Sequence, residues 1–286
     1  PLLREHVTTL AQMDNLPAPV LALNRTSDNS GGPDLYQFGL APEDEMRQIA
    51  HRAWQEGHRN VVVISPASSW GERNTSTFTD QWLELGGNLV ASSKFEDSQD
   101  YSGLIKNLLK VDQSEQRATE LRRITGERFQ FTPRRRQDLD FVLLLANPSQ
   151  SRSINPTLAF FYAEDIPVYS SSHVYQYADS RINVLDLNGI RFCDIPWKLN
   201  VSDPVRDAIE SQWESAKGPL TPFYALGVDV YRIYPRLQQM KEVANQRVAG
   251  TTGVLRLNQN NAIERTLMWA RFRDGKVIPT SIVFGG

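Results

Sequence analysis

The side chains of this 286-residue sequence that could do acid–base or metal chemistry are few and scattered. The histidines are His6, His51, His58 and His173. His51 and His58 share a helical pattern, but Gly57 between them reads as a helix stop, so no shared metal ion is expected. Asp138 and Asp140 flank Leu139, and paired carboxylates can exchange protons with a substrate. They precede an apolar run, however, which sets them at the amino end of a strand. Ligands of open α/β sheets gather at the carboxyl ends, so structural roles are expected for both. The single Cys193 excludes an intrachain disulfide and any multi-cysteine metal site, and it reads as a small buried hydrophobe. No G-x-S-x-G, H-E-x-x-H, C-x-x-C, Walker or G-x-G-x-x-G motif occurs. No catalytic residue, metal or cofactor is assigned on these grounds, and the sequence reads as that of a non-enzyme.

Two other groupings suit binding. Asn24, Arg25 and Thr26, then Ser65, Ser68, Ser69 and Trp70, then Asn147, then Ser171, Ser172 and His173, each follow a short apolar run. Small polar residues and one aromatic at successive strand ends would line one cleft. They are equally readable as ordinary polar loop tips. The second grouping is Arg134, Arg135 and Arg136, enlarged by Arg117, Arg122 and Arg123 on a charged helical segment. It is either a solvated face or a docking patch for a protein partner. A net charge of −2 and a pI near 6.2, with only Phe129 and Phe131 as nearby aromatics, do not favour nucleic acid. Gly227 and Asp229 suggest a close helix contact beside a buried carboxylate.

These residues need elements to hold them. In residues 42–56, Met46, Ile49, Ala50, Ala53 and Trp54 recur at helical spacing behind Pro42, Glu43, Asp44 and Glu45. Val61, Val62, Val63 and Ile64 then form an uninterrupted apolar run, as in a strand covered on both faces. Helices are expected at 2–14, around Phe78 and Trp82, at 101–110, 154–163 and 222–234. Strands are expected at 20–23, 88–93, 140–146, 168–170 and 190–195. Residues 111–137 read as a helical basic insertion, with Asp112 and Glu115 as a capping box and Ala118, Leu121 and Ile124 as a thin apolar stripe. From 253 onward, alternation and turn signals give antiparallel β structure. Hydrophobic content of 40% is ordinary, and no apolar run approaches the roughly 18 residues of a membrane span. The abrupt start at Pro1 is expected to continue from an upstream chain.

The order of these elements resembles the type I periplasmic-binding-protein fold, the two-lobed architecture of branched-chain amino-acid receptors. Residues 61–109 and the runs DFVLLLANPSQ and IPVYSSS carry that likeness. Several phrases are similar to one family within it, the LpoA (LppC) outer-membrane lipoproteins: YQFGLAPEDE, FTPRRRQDLDFVLLLANP, LNGIRFCDIPW, YALGVDVYR and GTTGVLRLNQNNAIERTLMWARFRDGKVIP. The resemblance implies an α/β protein that binds and activates a class A penicillin-binding protein on the periplasmic face of the outer membrane. It also implies an N-terminal lipid anchor, absent from this sequence, as the only membrane attachment. It implies a first lobe lacking its opening βα units, from residues 1–41 and 202–264, and a second lobe from 42–199 and 265–286. Crossings between them fall near 38–44, 196–201 and 263–266. By the same resemblance, residues 24–27 correspond to the receptor loop that holds an amino acid's carboxylate, Trp70 to the covering aromatic and Asn147 to a further contact. Ser172 falls where receptors place an acidic partner for the ligand's ammonium, and it carries no charge. Ordinary amino-acid capture is therefore disfavoured, although a small polar or cell-wall-derived ligand stays open as the alternative.

Overall fold

The computed structural model describes residues 3–13, 15–26, 31–96, 100–127, 129–176, 184–199, 203–243 and 245–280. In chain order its elements are α1 (Arg4–Ala11), β1 (Val20–Ala22), β2 (Leu35–Gln37), α2 (Pro42–Gln55), β3 (Asn60–Pro66), α3 (Ser69–Glu84) and β4 (Asn88–Phe95). Next come α4 (Tyr101–Leu108), α5 (Val111–Thr125), β5 (Phe141–Leu144), α6 (Pro148–Phe160), β6 (Val168–Ser170), β7 (Arg191–Asp194) and α7 (Pro196–Leu199). The remainder is α8 (Pro204–Gln212), α9 (Thr221–Ile233), α10 (Leu237–Glu242), β8 (Arg247–Ala249), β9 (Val254–Leu257), β10 (Ile263–Thr266), β11 (Met268–Arg273) and β12 (Lys276–Thr280).

The chain divides into two compact units. The first is Pro1–Glu45, Asp194–Trp269 and Pro279–Gly286; the second is Met46–Cys193 and Ala270–Ile278. The first three limits differ by a few residues from the crossings expected above, and a fourth, between Ile278 and Pro279, was not expected, since 265–286 was assigned whole to the second lobe. The second crossing comes earlier because α7 is tied into the first unit: Trp197 N–H donates to Thr251 C=O at 3.1 Å, and Arg206 Nη1 donates to Trp197 C=O at 3.0 Å. The third comes later because residues 263–266 are β10, still paired with β9.

The second unit is built on the sheet β12-β11-β7-β6-β5-β3-β4, in which β4, β3, β5, β6 and β7 are neighbours in parallel. Strand β3 is the uninterrupted run Val61–Ile64, wholly buried as expected of a doubly covered strand. Helix α2 buries Met46, Ile49, Ala50 and Ala53, and the chain turns after it at Gly57, where φ is +91°. Trp82 of α3 meets the Phe141 ring edge-on at 5.2 Å, and Phe141 meets Tyr169 at 5.4 Å. Truncating any of these buried rings to alanine costs on the order of 3–5 kcal/mol.

In the first unit β1 pairs with β2 in parallel, and Gln37 of β2 bridges to Ala262 beside the antiparallel sheet β10-β9-β8. Its core joins Tyr36 and Phe38 to Leu226 and Ile233 of α9, Leu237 and Met240 of α10, Leu255 and Ile263. Asp229 on α9 is fully buried and accepts four hydrogen bonds, from Thr251 N–H and hydroxyl at 2.7 and 2.8 Å and from Thr252 N–H and hydroxyl at 2.7 and 2.6 Å. Gly227 is not the close contact expected of it: a Cβ there would meet nothing within 4 Å.

Three local expectations change. Helix α6 begins at Pro148 rather than at 154, because Asn147 and Gln150 form a capping box ahead of Pro148. Helix α5 does not use the box expected at Asp112 and Glu115; its N-cap is Lys110, in the left-handed region at φ +56°. Of its apolar stripe, Ala118 is buried, whereas Leu121 and Ile124 are 52% and 69% exposed.

Candidate functional site

The carboxyl edge of the parallel sheet in the second unit gathers most of the polar residues singled out from sequence. Ser65 is the last residue but one of β3, and α3 follows almost at once, so Ser69 and Trp70 lie in a helical first turn rather than in an open loop. Ser68 caps that helix by accepting from Gly71 N–H at 3.2 Å. A Cβ at Gly71 would stand 2.2 Å from Pro66 C=O, so only glycine lets the helix start press against the strand end. Trp70 is thereby fixed, and its ring packs on His173 with centroids 4.5 Å apart and planes at 47°.

Asn147 has a different role from the expected contact with a ligand. Its Oδ1 accepts from Gln150 N–H at 2.9 Å while its own N–H donates to Gln150 Oε1 at 2.9 Å, so the side chain is spent on capping α6. Ser171 is buried, and Ser172 opens a short 3-10 turn that presents His173. The hydroxyls of Ser65, Ser151 and Ser171 and the indole N–H of Trp70 are buried without a hydrogen-bond partner among the described residues. Ser151 was not foreseen. Its signal was the Asn-Pro-Ser-Gln helix start, which places the next serine in the first turn of α6, beyond the end of β5. Uncharged hydroxyls beside an indole–imidazole pair can hydrogen-bond a neutral polar group; they cannot neutralise an ammonium.

In the first unit, the loop expected to line a cleft is turned inward. Arg25 is buried, with a bidentate pair to Asp44 at 2.8 and 3.0 Å and a third bond to Ile263 C=O at 2.7 Å. Thr26 N–H donates to Gln37 Oε1 at 2.8 Å, and Asn24 Oδ1 accepts from Arg25 N–H at 2.8 Å. Arg25 thus holds the β1 loop against the start of α2 and against β10, and Thr26 ties it to β2. Removing one partner of such a buried pair costs about 3–5 kcal/mol. Ser27, part of the same expected loop, lies outside the described residues.

The arginine grouping splits in two. Arg135 donates to Tyr162 C=O and to Asp165 at 2.7 Å each, and Arg136 grips Asp138 through two bonds of 2.7 and 2.9 Å. Their side chains are only 11% and 7% exposed, so both staple the segment after α5 rather than offering a docking surface. The Arg136 guanidinium holds the Asp138 carboxyl down at about 2. Asp140 receives Arg59 and Asn60 N–H at 2.8 Å each, tying the start of β5 to that of β3. Arg134 remains exposed, as do Arg117, Arg122 and Arg123 on α5. Arg122 lies over the half-exposed Phe129 ring at 5.2 Å, and Arg123 pairs with Glu120. The end of α5 therefore carries Leu121, Ile124 and Phe129 outward among arginines.

His58 and His173 both pack against aromatic rings. Among the described residues, no three of His, Cys, Asp or Glu are grouped to hold a metal ion, and no helix is long and apolar enough to cross a membrane.

A family model described as LppC putative lipoprotein matches residues 1–275. The penicillin-binding protein activator LpoA of Photobacterium profundum is 29% identical over 98% of this chain. Its counterpart in Vibrio antiquarius is 30% identical over 94%. This chain covers 46% of each, so it spans about half the length of these relatives. Among solved structures, the C-domain of LpoA (YraM) from Haemophilus influenzae, described as a regulator of PBP1A, matches with a TM-score of 0.71 at 23% identity, over 98% of this chain and 80% of that one. A putative branched-chain amino acid ABC transporter protein from Chromobacterium violaceum gives 0.66 at 26% identity, over 95% and 78%. The fold is thus the α/β architecture shared by LpoA C-domains and periplasmic-binding-protein-like receptors.

Proposed function

The chain belongs to the LppC putative lipoprotein family, and from that premise we propose that it is a non-catalytic regulator that binds and activates a class A penicillin-binding protein by direct contact. The reading includes a periplasmic setting at the outer membrane, held by a lipid anchor upstream of Pro1, and needs no cofactor and no nucleic acid. Relatives over nearly the whole chain are named penicillin-binding protein activators. The observation that carries a contact mechanism is the outer half of α5. Leu121 and Ile124 stand in solvent on a helix whose inner turns bury Val111, Ser114 and Ala118. An amphipathic basic helix end of this kind is a natural anchor for a partner: apolar side chains supply the buried area and Arg117 and Arg122 steer the approach.

The test is a pull-down of the class A synthase together with glycan polymerisation in its presence. Leu121→Ser with Arg122→Glu should reduce both by about tenfold or more with the melting temperature unchanged. Full stimulation by that folded variant would remove α5 from the contact.

A second reading, capture of a small polar or cell-wall-derived molecule, is favoured by one observation, the buried hydroxyls of Ser65, Ser151 and Ser171, which have no partners among the described residues. A molecule held there at about 100 times its dissociation constant would raise stability by about 2.7 kcal/mol. A thermal-shift screen with amino acids, sugars and muropeptides separates this reading from pure scaffolding.

A further inference from the structure

The second unit has an open sheet edge that the contact proposed above does not use. Strand β4 is outermost and, among the described residues, pairs only with β3. In a parallel strand each residue turns its N–H and C=O to one side, and successive residues alternate. Phe95 C=O accepts from Ala67 N–H at 2.7 Å, toward β3. By alternation Ser93 and Ala91 also face β3, and Ser92 and Lys94 direct their N–H and C=O outward. The register shift lies near the start of β4, between Val61 and Val62 of β3, so residues 91–95 run in unbroken register.

Along this outward side runs a groove of about 490 Å³, floored by residues 90–94 and walled by α4, Lys110, Gln113 and Arg136. Five residues at about 3.3 Å each give it a length of about 16 Å, enough for a short extended segment. Its charged lining is Lys94, Lys110 and Arg136, with no carboxylate among the described lining residues. Glu72 pairs with Lys94 at 2.7 Å, but the two side chains are 60% and 52% exposed, so water screens that pair, whereas Arg136 is held by Asp138 and takes no part in selection. Lys110 is exposed at the left-handed turn between α4 and α5. A lysine on an edge strand ordinarily guards against stray strands. Here the guard is selective, because a strand bearing carboxylates gains what an apolar or basic strand loses.

We propose that the outer edge of β4 captures an extended acidic segment of a protein partner, which adds a strand beside residues 91–95. The main chain of Ser92 and Lys94 supplies the ladder; Lys94 and Lys110 select the charge. This holds whichever protein supplies the segment, and it is measured separately from synthase activation.

The test is fluorescence anisotropy of the 286-residue chain with a labelled heptapeptide of alternating glutamate and threonine. One control peptide carries lysine in place of glutamate, and another is the acidic peptide with alternate amides N-methylated. Saturable binding of the acidic peptide with Kd below about 1 mM is expected, at least about tenfold weaker for either control. Ser92→Pro removes an outward N–H while sparing the β3 ladder and should weaken binding by about tenfold. Lys94→Gln with Lys110→Gln should weaken it and flatten its salt dependence. Absence of binding below about 1 mM, equal binding of the lysine peptide, or indifference to N-methylation overturns the proposal. The N-methyl arm uses the unaltered chain, so it decides the matter even if Ser92→Pro fails to fold.

Discussion

Replacing Asp229 by alanine should destabilise the first unit by about 4 kcal/mol, because the carboxylate is the acceptor for two backbone amides that have no other partner among the described residues. It is fully buried, and Thr251 and Thr252 each approach it with an N–H and a hydroxyl at 2.6–2.8 Å. The Thr251 hydroxyl also lies 2.8 Å from Ala225 C=O and can turn its single proton there. The two amides and the Thr252 hydroxyl have no such alternative. Each orphaned buried donor costs about 1–3 kcal/mol, so the two amides alone give about 2–6. Relief of a buried charge pulls the sum toward the lower half of that range. Asparagine keeps one acceptor oxygen and turns an NH₂ toward the other amide, so Asp229→Asn should cost about half as much. Urea titration reads both: with m of about 1–3 kcal/mol per M, the alanine variant loses about 1–4 M in midpoint. The order native, Asn, Ala is the signature. An alanine variant within about 1 kcal/mol of native would show that those amides find other acceptors, and the reasoning would fail.

Gly71→Ala should lower the melting temperature and perturb Trp70 fluorescence, since the added Cβ would stand 2.2 Å from Pro66 C=O; an unchanged emission spectrum would refute the close packing. Arg136→Glu should destabilise the segment after α5 by removing its grip on Asp138, whereas Arg122→Glu should leave stability alone and weaken synthase binding; the reverse assignment in melting and pull-down experiments would overturn the split. Burial pushes the His58 imidazole below its ordinary value, with Glu56 and Asp140 opposing but not overcoming it. The unfolded chain therefore takes up this proton first as pH falls, so His58 contributes stability that is present above pH about 6.5 and lost below it. His58→Gln should flatten the stability profile over that window, and an identical slope would refute the linkage.

Much of the architecture was legible because its signals are local. The Val61–Ile64 run, the stripe on α2 and the Gly57 stop each follow from spacing alone. The helix starts at Ser69 and Pro148 were missed because residues at strand ends were read as loops for a ligand, although Ser68 and Asn147 are equally good caps. Arg25 shows the limit of such reading. Its burial depends on Asp44, 19 residues on, and on the Ile263 carbonyl, 238 residues away, and no window of sequence contains that partnership. Arg135 was misjudged for the same reason, since Asp165 and the Tyr162 carbonyl come from beyond the end of α6, whereas the partner of Arg136, Asp138, stands only two residues on. The open side of β4 has no local signal at all, because an edge is defined by which strand fails to arrive.

The threading of the chain also sets the order in which it can become complete during synthesis. The first unit needs its opening 45 residues and then waits through 148 residues of the second unit before α9, β9 and β10 exist. The second unit in turn lacks β11 and β12 until the final turn of the sequence has emerged. Neither unit can finish before the other has largely been made, so contacts of long sequence separation close last and folding is expected to be slow. A chain ending just after Trp269 would retain every strand of the sheet β10-β9-β8 yet lose the far edge of the other sheet.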